Sequence, residues 1–341
     1  MRAWIFARLG AVSSTVQTNL AILLLLATVH CCFAAKGVIT AGRLARITVR
    51  VSDESGQPLA NTIASVGTFS HHVPGDGFGE DKSANYSHLT DDKGLAVFEF
   101  VCLTGEVSYG VRNEGYYYDR GGEFAFQTLQ NGQWQPWNPT VEVVLKPVLN
   151  PIPMYAKRVG LMHLPAEDTP LGYDLMAGDW VPPHGKGTNT DLIFFYQSQV
   201  TDPRWGYDLS LSLTFPNAAD GIQSVLLPLR KGSVLRMRTA PESGYTNKLF
   251  QRVHRLSKET PNNSSVNDDL NYYFRVRTVQ TNGQIVSALY GKIYGDIELT
   301  VNGDLNFTYY LNPAPNSRNL EFNTKSNLIK RLKSFAQPND P

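Results

Sequence analysis

Between Asp208 and Phe215 the chain alternates without a fault, with Leu209, Leu211, Leu213 and Phe215 on one side and Asp208, Ser210, Ser212 and Thr214 on the other. A period of two residues sends successive side chains to opposite faces of an extended strand, so this segment belongs to a sheet with one buried face. Asn282-Gly283 separates the apolar runs Tyr272–Val279 and Ile285–Ile293, and Asn302-Gly303 separates Ile297–Val301 from Leu305–Leu311. Asn-Gly tolerates the positive φ angles of tight hairpin turns, so the spacing predicts an antiparallel meander. Within Asp191–Gln197, the unbroken run Leu192-Ile193-Phe194-Phe195-Tyr196 predicts a strand buried on both faces.

The first third carries the same signal. Ile47, Val49 and Val51 alternate with Thr48 and Arg50, and further strands are expected at Thr62–Val66, Leu95–Val101, Val107–Arg112 and Thr140–Lys146. Gly56-Gln57-Pro58 and Asp91-Asp92-Lys93-Gly94 supply turns between them. Pro147, Pro151 and Pro153 favour stiff, extended backbone, so 147–153 reads as a semi-rigid linker. Beyond it, residues 154–341 form a second β domain. Leu328, Ile329, Leu332 and Phe335 stand at helical spacing and predict one short C-terminal helix.

At the other end, Arg2 and Arg8 precede a short apolar run, Leu20–Val29, and the small residues Ala34 and Ala35 follow it. That order is the pattern of a secretory signal peptide, here residues 1–35. The run is too short to span a bilayer, which takes about 20 apolar residues, and no later stretch is apolar enough. The expected product is secreted, periplasmic or otherwise extracytoplasmic, with no transmembrane segment once the leader is removed. About 305 residues remain, enough for two domains. Without Arg2 and Arg8 the 31 basic residues fall to 29, against 30 acidic ones. A chain so near neutrality has no field to gather nucleic acid, which we exclude as a partner.

Cys31 and Cys32 lie in the leader, leaving Cys102 alone in the mature chain, so no intramolecular disulfide can form. His30 stands where a lipobox needs a small residue, which argues against a lipid anchor. Cys102 ends the strand-like run Leu95–Val101 and reads as a buried thiol.

Three stretches, Val51-Ser52-Asp53-Glu54-Ser55-Gly56-Gln57-Pro58-Leu59, Thr90-Asp91-Asp92-Lys93-Gly94-Leu95-Ala96-Val97-Phe98, and Tyr109-Gly110-Val111 with Gly115-Tyr116, resemble the carboxypeptidase regulatory-like (transthyretin-like) β-sandwich module over residues 43–148. The resemblance implies a sandwich fold and an accessory role beside another domain. It brings no catalytic residue, and the chain departs from the pattern in a long Gly67–Leu89 segment that reads as a loop.

Few residues stand out as carriers of chemistry. His71, His72, Asp76, Glu80, Asp81 and His88 crowd that segment, and imidazole with carboxylate can hold a divalent metal. Their spacing matches no ligand pattern, and adjacent His71 and His72 point to opposite sides of an extended chain, so no metal is assigned. Asp179 and His184 are the catalytic candidates, as a base and its partner, with no nucleophile-elbow Ser or Cys nearby. Gly185-Lys186-Gly187-Thr188 lacks the Gly spacing and the Ser or Thr after Lys of a phosphate loop. Trp134 and Trp137, set among Gln133, Gln135 and Asn138, have the aromatic-plus-amide character of a sugar-binding surface. The expectation is therefore an all-β protein of two sandwiches, the second larger and either a sandwich or a jelly roll. We expect non-catalytic binding at or outside the cell envelope, a glycan or cell-surface polymer as ligand, and no cofactor. A secreted hydrolase with its site in the second domain and a purely structural surface protein are the alternatives.

Overall fold

The computed structural model describes residues 40–75, 79–228 and 232–341, so the expected signal peptide, 1–35, and Asp76 lie outside the described residues. The fold is all-β. Among the described residues the first ten strands are β1 (Thr40–Ala41), β2 (Arg43–Asp53), β3 (Ile63–Val73), β4 (Glu80–Leu89), β5 (Leu95–Cys102), β6 (Glu106–Arg112), β7 (Gly122–Ala125), β8 (Thr128–Gln130), β9 (Gln133–Gln135) and β10 (Thr140–Leu145). One sheet runs β1-β3-β6-β7, with β4 also paired to β3, and the other runs β10-β2-β9-β8, with β5 also paired to β2. The inward sets of the alternating strands meet between them: Ile47, Val49 and Val51, then Ala64 and Val66, Phe98 and Phe100, Val141 and Val143. Cys102 is buried here, where Thr68 Oγ1 and the Gly105 N–H approach its Sγ at 3.1 and 3.2 Å.

The two turns of the sandwich pack on each other. Asp53 accepts from the Ser55 and Gln57 N–H groups, and Asp91 from those of Lys93 and Leu95. Gly94 sits at φ +72°, where a Cβ would lie 2.3 Å from the Val51 carbonyl, so only glycine closes this turn. The Gly67–Leu89 segment is not a loop. It is the long hairpin β3–β4, paired from Ile63↔Leu89 to Val73↔Glu80, because Ala64 and Val66 on one strand and Tyr86 on the other have a core to bury into.

Residues 152–327 form twelve more strands among the described residues: β11 (Ile152–His163), β12 (Leu171–Asp174), β13 (Asp179–Trp180), β14 (Leu192–Asp202), β15 (Gly206–Thr214), β16 (Gly221–Leu226), β17 (Lys248–Arg255), β18 (Asn263–Ser264), β19 (Leu270–Thr281), β20 (Gln284–Leu299), β21 (Asp304–Leu311) and β22 (Phe322–Asn327). They make two six-stranded sheets, β16-β19-β20-β21-β11-β22 and β13-β12-β14-β15-β17-β18. Leu209, Leu211 and Leu213 face Phe274, Val276, Phe307 and Tyr309 across the core. The first of these sheets is also covered on its other face, where Met154, Met237, Tyr290, Tyr310 and Phe322 cluster.

Three expectations need correction. The apolar run at Leu192–Tyr196 is buried on one face only, with Ile193 and Phe195 half exposed, and the strand buried on both faces is β20. The expected break between Ile293 and Ile297 is a bulge inside β20, with Gly295 at φ +77° and the β21 register shifting between Tyr294 and Glu298. No α-helix forms at 327–335. Arg331 takes φ +61°, Asn327 Oδ1 caps the Ile329 N–H, and only a three-residue 3₁₀ turn, Ser334–Ala336, follows. A segment this short cannot sustain an α-helix by itself.

Candidate functional site

The most elaborate polar assembly lies where the two sandwiches meet. Glu321, just before β22, is 1% exposed. Its Oε1 accepts from the Leu149 N–H at 2.8 Å and the Tyr117 hydroxyl at 2.9 Å, and its Oε2 from the Asn150 N–H at 3.1 Å and Arg238 Nη1 at 2.7 Å. Arg238 Nη2 turns to the first sandwich, donating to the Pro147 carbonyl at 2.7 Å and to Glu54 Oε2 at 3.1 Å. Burial pushes the Glu321 carboxyl up, but these four donors outweigh it and hold the group below its ordinary value. Burial, then Glu321 itself, pushes the Tyr117 hydroxyl well up.

Residues 147–153, expected as a semi-rigid linker, are bonded along the seam: Val148 donates to the Gly115 carbonyl and Ile152 to that of Glu321, with Leu149 and Asn150 pinned between them. Backbone bonds reinforce the seam, from Arg120 N to Gly232 O and from Val234 N to Tyr118 O. The last residues close it from the side, with an Arg120–Asp340 ion pair. Beneath lies Lys292, fully buried, which donates to Tyr294 Oη at 2.8 Å and to the carbonyls of Pro341 and Met237 at 2.9 and 3.2 Å. Burial above all drives its amine well below the usual 10.5.

A second assembly organises the loops around Asp179 and His184. Arg277 occupies a bulge in β19 at φ +54°, held there by Asp220, whose carboxylate accepts from the Arg277 and Thr278 N–H groups. The bulge turns the guanidinium onto Asp191, at 2.7 and 2.9 Å, and onto Asp174 at 3.3 Å. Asp174 also accepts from the N–H groups of Met176, Ala177, Thr188 and Asn189. Burial pushes the Asp174 carboxyl up, yet those backbone donors leave it lowered. Every oxygen here is consumed by the fold, as expected of buried carboxylates that hold loops together.

The residues singled out from the sequence are scattered over these surfaces. Asp179 accepts from the Trp180 and Lys186 N–H groups and shapes its own turn. His184 is exposed, and no hydrogen bond joins it to Asp179 among the described residues. Trp134 is half-buried, packs beside Phe126 and donates its indole N–H to the Cys102 carbonyl at 2.9 Å. Trp137 is 36% exposed, and no ring contact joins the two tryptophans among the described residues. His71 pairs with Ser70, His72 with Asp81 at 2.6 Å, and His88 stacks on Phe98 while bonding the Val97 carbonyl. The described residues bring no three His, Cys, Asp or Glu side chains together for a metal. The sequence reading missed Glu321, Arg238, Arg277 and Lys292, whose partners lie far along the chain.

No family model and no curated protein matches this chain. Among solved structures it is similar to 3-chlorocatechol 1,2-dioxygenase from Rhodococcus opacus, with 11% identity and a TM-score of 0.25 over 32% of this chain. The match spans 62% of the dioxygenase chain. It is also similar to the major pilin SpaD of Corynebacterium diphtheriae, with 9% identity and a TM-score of 0.24, covering 86% of this chain and 95% of the pilin. The third is BcpA, the major pilin subunit of Bacillus cereus, with 12% identity, a TM-score of 0.23, and 78% and 67% covered. At these scores none carries an argument about function. No helix among the described residues is long and apolar enough to cross a membrane.

Proposed function

We propose that this chain is a non-catalytic structural protein of the cell exterior, exported by its leader and built to hold two sandwiches in one fixed relation. One observation carries the reading: Glu321 and Arg238 tie residues 54, 117 and 147–150 to the second sandwich through a buried, fully engaged network. Such a junction resists hinge motion, which an enzyme closing two domains over a substrate would need. The first sandwich then serves as a carboxypeptidase regulatory-like accessory module. The hydrolase alternative loses support because Asp179 and His184 do not meet and the buried carboxylates are spent on backbone N–H groups. Amino-terminal sequencing of protein recovered from the envelope or medium tests the export half. The mature chain is expected to start at Ala35 or Lys36, after the small residue a signal peptidase accepts. A mature chain starting at Met1, retained in the cytoplasm, contradicts the reading.

A further inference from the structure

Among the described residues nothing covers the outer face of the sheet β4-β3-β6-β7, whose residues fall into rows set by the strand register. Across one row lie Asn85, Gly67, Ser108 and Glu123, and beside it lie two pairs, Ser83 with Phe69 and Glu106 with Ala125. These residues line a cavity of about 560 Å³, the size of a small-ligand site. Its floor is low because Gly67 has no side chain. A Cβ there would lie 2.8 Å from Asn85 Oδ1 and 2.9 Å from Ser108 Oγ, so the two polar groups lean over the glycine from either side. Phe69 stands at one end, 45% exposed although it is a large aromatic on an otherwise small and polar face.

Charge narrows the choice of occupant. Glu106 and Glu123 are diagonal neighbours across β6 and β7, which places like charges roughly 7 Å apart on one face. Neither has a cationic or hydrogen-bonding partner for its carboxylate among the described residues. That distance is within the Debye length of about 8 Å at physiological salt, so one cation in the groove is drawn by both carboxylates. A ring with an apolar face for Phe69, hydroxyls for Asn85, Ser83 and Ser108, and an ammonium for the two carboxylates meets all three demands. We infer that this groove binds an oligosaccharide of amino sugars carrying free ammonium groups. The inference is independent of the structural role proposed for the junction, which lies on other residues.

Calorimetric titration of the full mature chain with a glucosamine hexamer and with its fully N-acetylated counterpart tests this. The amino oligomer is expected to bind, more weakly as salt rises, and the acetylated one at least tenfold more weakly. Phe69→Ala is expected to weaken binding about tenfold, the loss of one stacked aromatic. Glu106→Gln with Glu123→Gln is expected to erase the preference for the amino oligomer while leaving thermal unfolding unchanged, since both side chains are exposed. Trp137→Ala, outside the groove, is expected to change nothing. The inference is overturned by binding of neither oligomer, by equal binding of both to the unaltered chain, or by binding that survives Phe69→Ala and is lost with Trp137→Ala.

Discussion

Glu321→Ala is expected to lower the stability of the folded chain by about 3–5 kcal/mol, the usual cost of breaking a buried ion pair by removing one partner. The loss is large because four donors are stranded together: Arg238 Nη1, the Tyr117 hydroxyl and the N–H groups of Leu149 and Asn150. Arg238 keeps the Pro147 carbonyl and, as its one anionic partner, Glu54, whose carboxylate is more than a third exposed and contributes far less. The same variant should lose part of the acid sensitivity of the intact chain. Glu321 titrates below 4.5 when folded, so the unfolded chain takes up the proton first as pH falls. Its contribution is therefore complete above pH 4.5 and disappears as pH drops through the folded value. Urea unfolding at pH 7 and at pH 3 measures both effects. Asp208→Ala, which breaks an exposed pair with Arg252, is the control and should cost about 1 kcal/mol or less. An equal loss from Glu321→Ala and Asp208→Ala would mean that the junction is not the strong contact described.

Arg277→Ala should be nearly as damaging, again about 3–5 kcal/mol, for a different reason. It leaves Asp191, fully buried, and Asp174, almost so, without the cation that both face. Combining it with Asp191→Asn removes one stranded charge, so the double variant should be more stable than Arg277→Ala alone. That reversal is the signature of an electrostatic coupling and would not arise from lost packing. Urea titrations of the four chains give the coupling directly, and strict additivity of the two changes would contradict it. Because Asp174 and Asp191 bind the backbone of 175–177 and 188–189, the Arg277→Ala chain should also be cut sooner by protease in this loop.

Local signals read directly from the sequence account for most of the long strands, though not for β4, β11 or β17. The faultless alternation of Asp208–Phe215 becomes β15, and Asn282-Gly283 becomes a turn with φ +54° and +77° between β19 and β20. Where the reading failed, tertiary context had overridden a local pattern. Leu328, Ile329, Leu332 and Phe335 have helical spacing, but Phe335 faces solvent and the chain there is tied to β11 through Asn327. Gly67–Leu89 departs from the pattern of the module it resembles and so read as a loop, although its described residues pair as β3 and β4. The polar assemblies were illegible because their members are far apart in the chain. Tyr117 and Glu321 are separated by 204 residues, and Arg277 and Asp191 by 86, so no spacing rule connects them. A carboxylate in a strand-rich sequence looks the same whether it is solvated, as Glu123 is, or buried, as Glu321 is. The groove on the first sandwich was hidden for a related reason, since its rows assemble from four strands that only the register aligns.

Differential scanning calorimetry of the chain tests most directly whether the two sandwiches are one mechanical unit. A junction sealed by Glu321 and Arg238 predicts a single transition whose calorimetric and van't Hoff enthalpies agree, and its separation into two transitions in Glu321→Ala. Two independent transitions in the unaltered chain would contradict it.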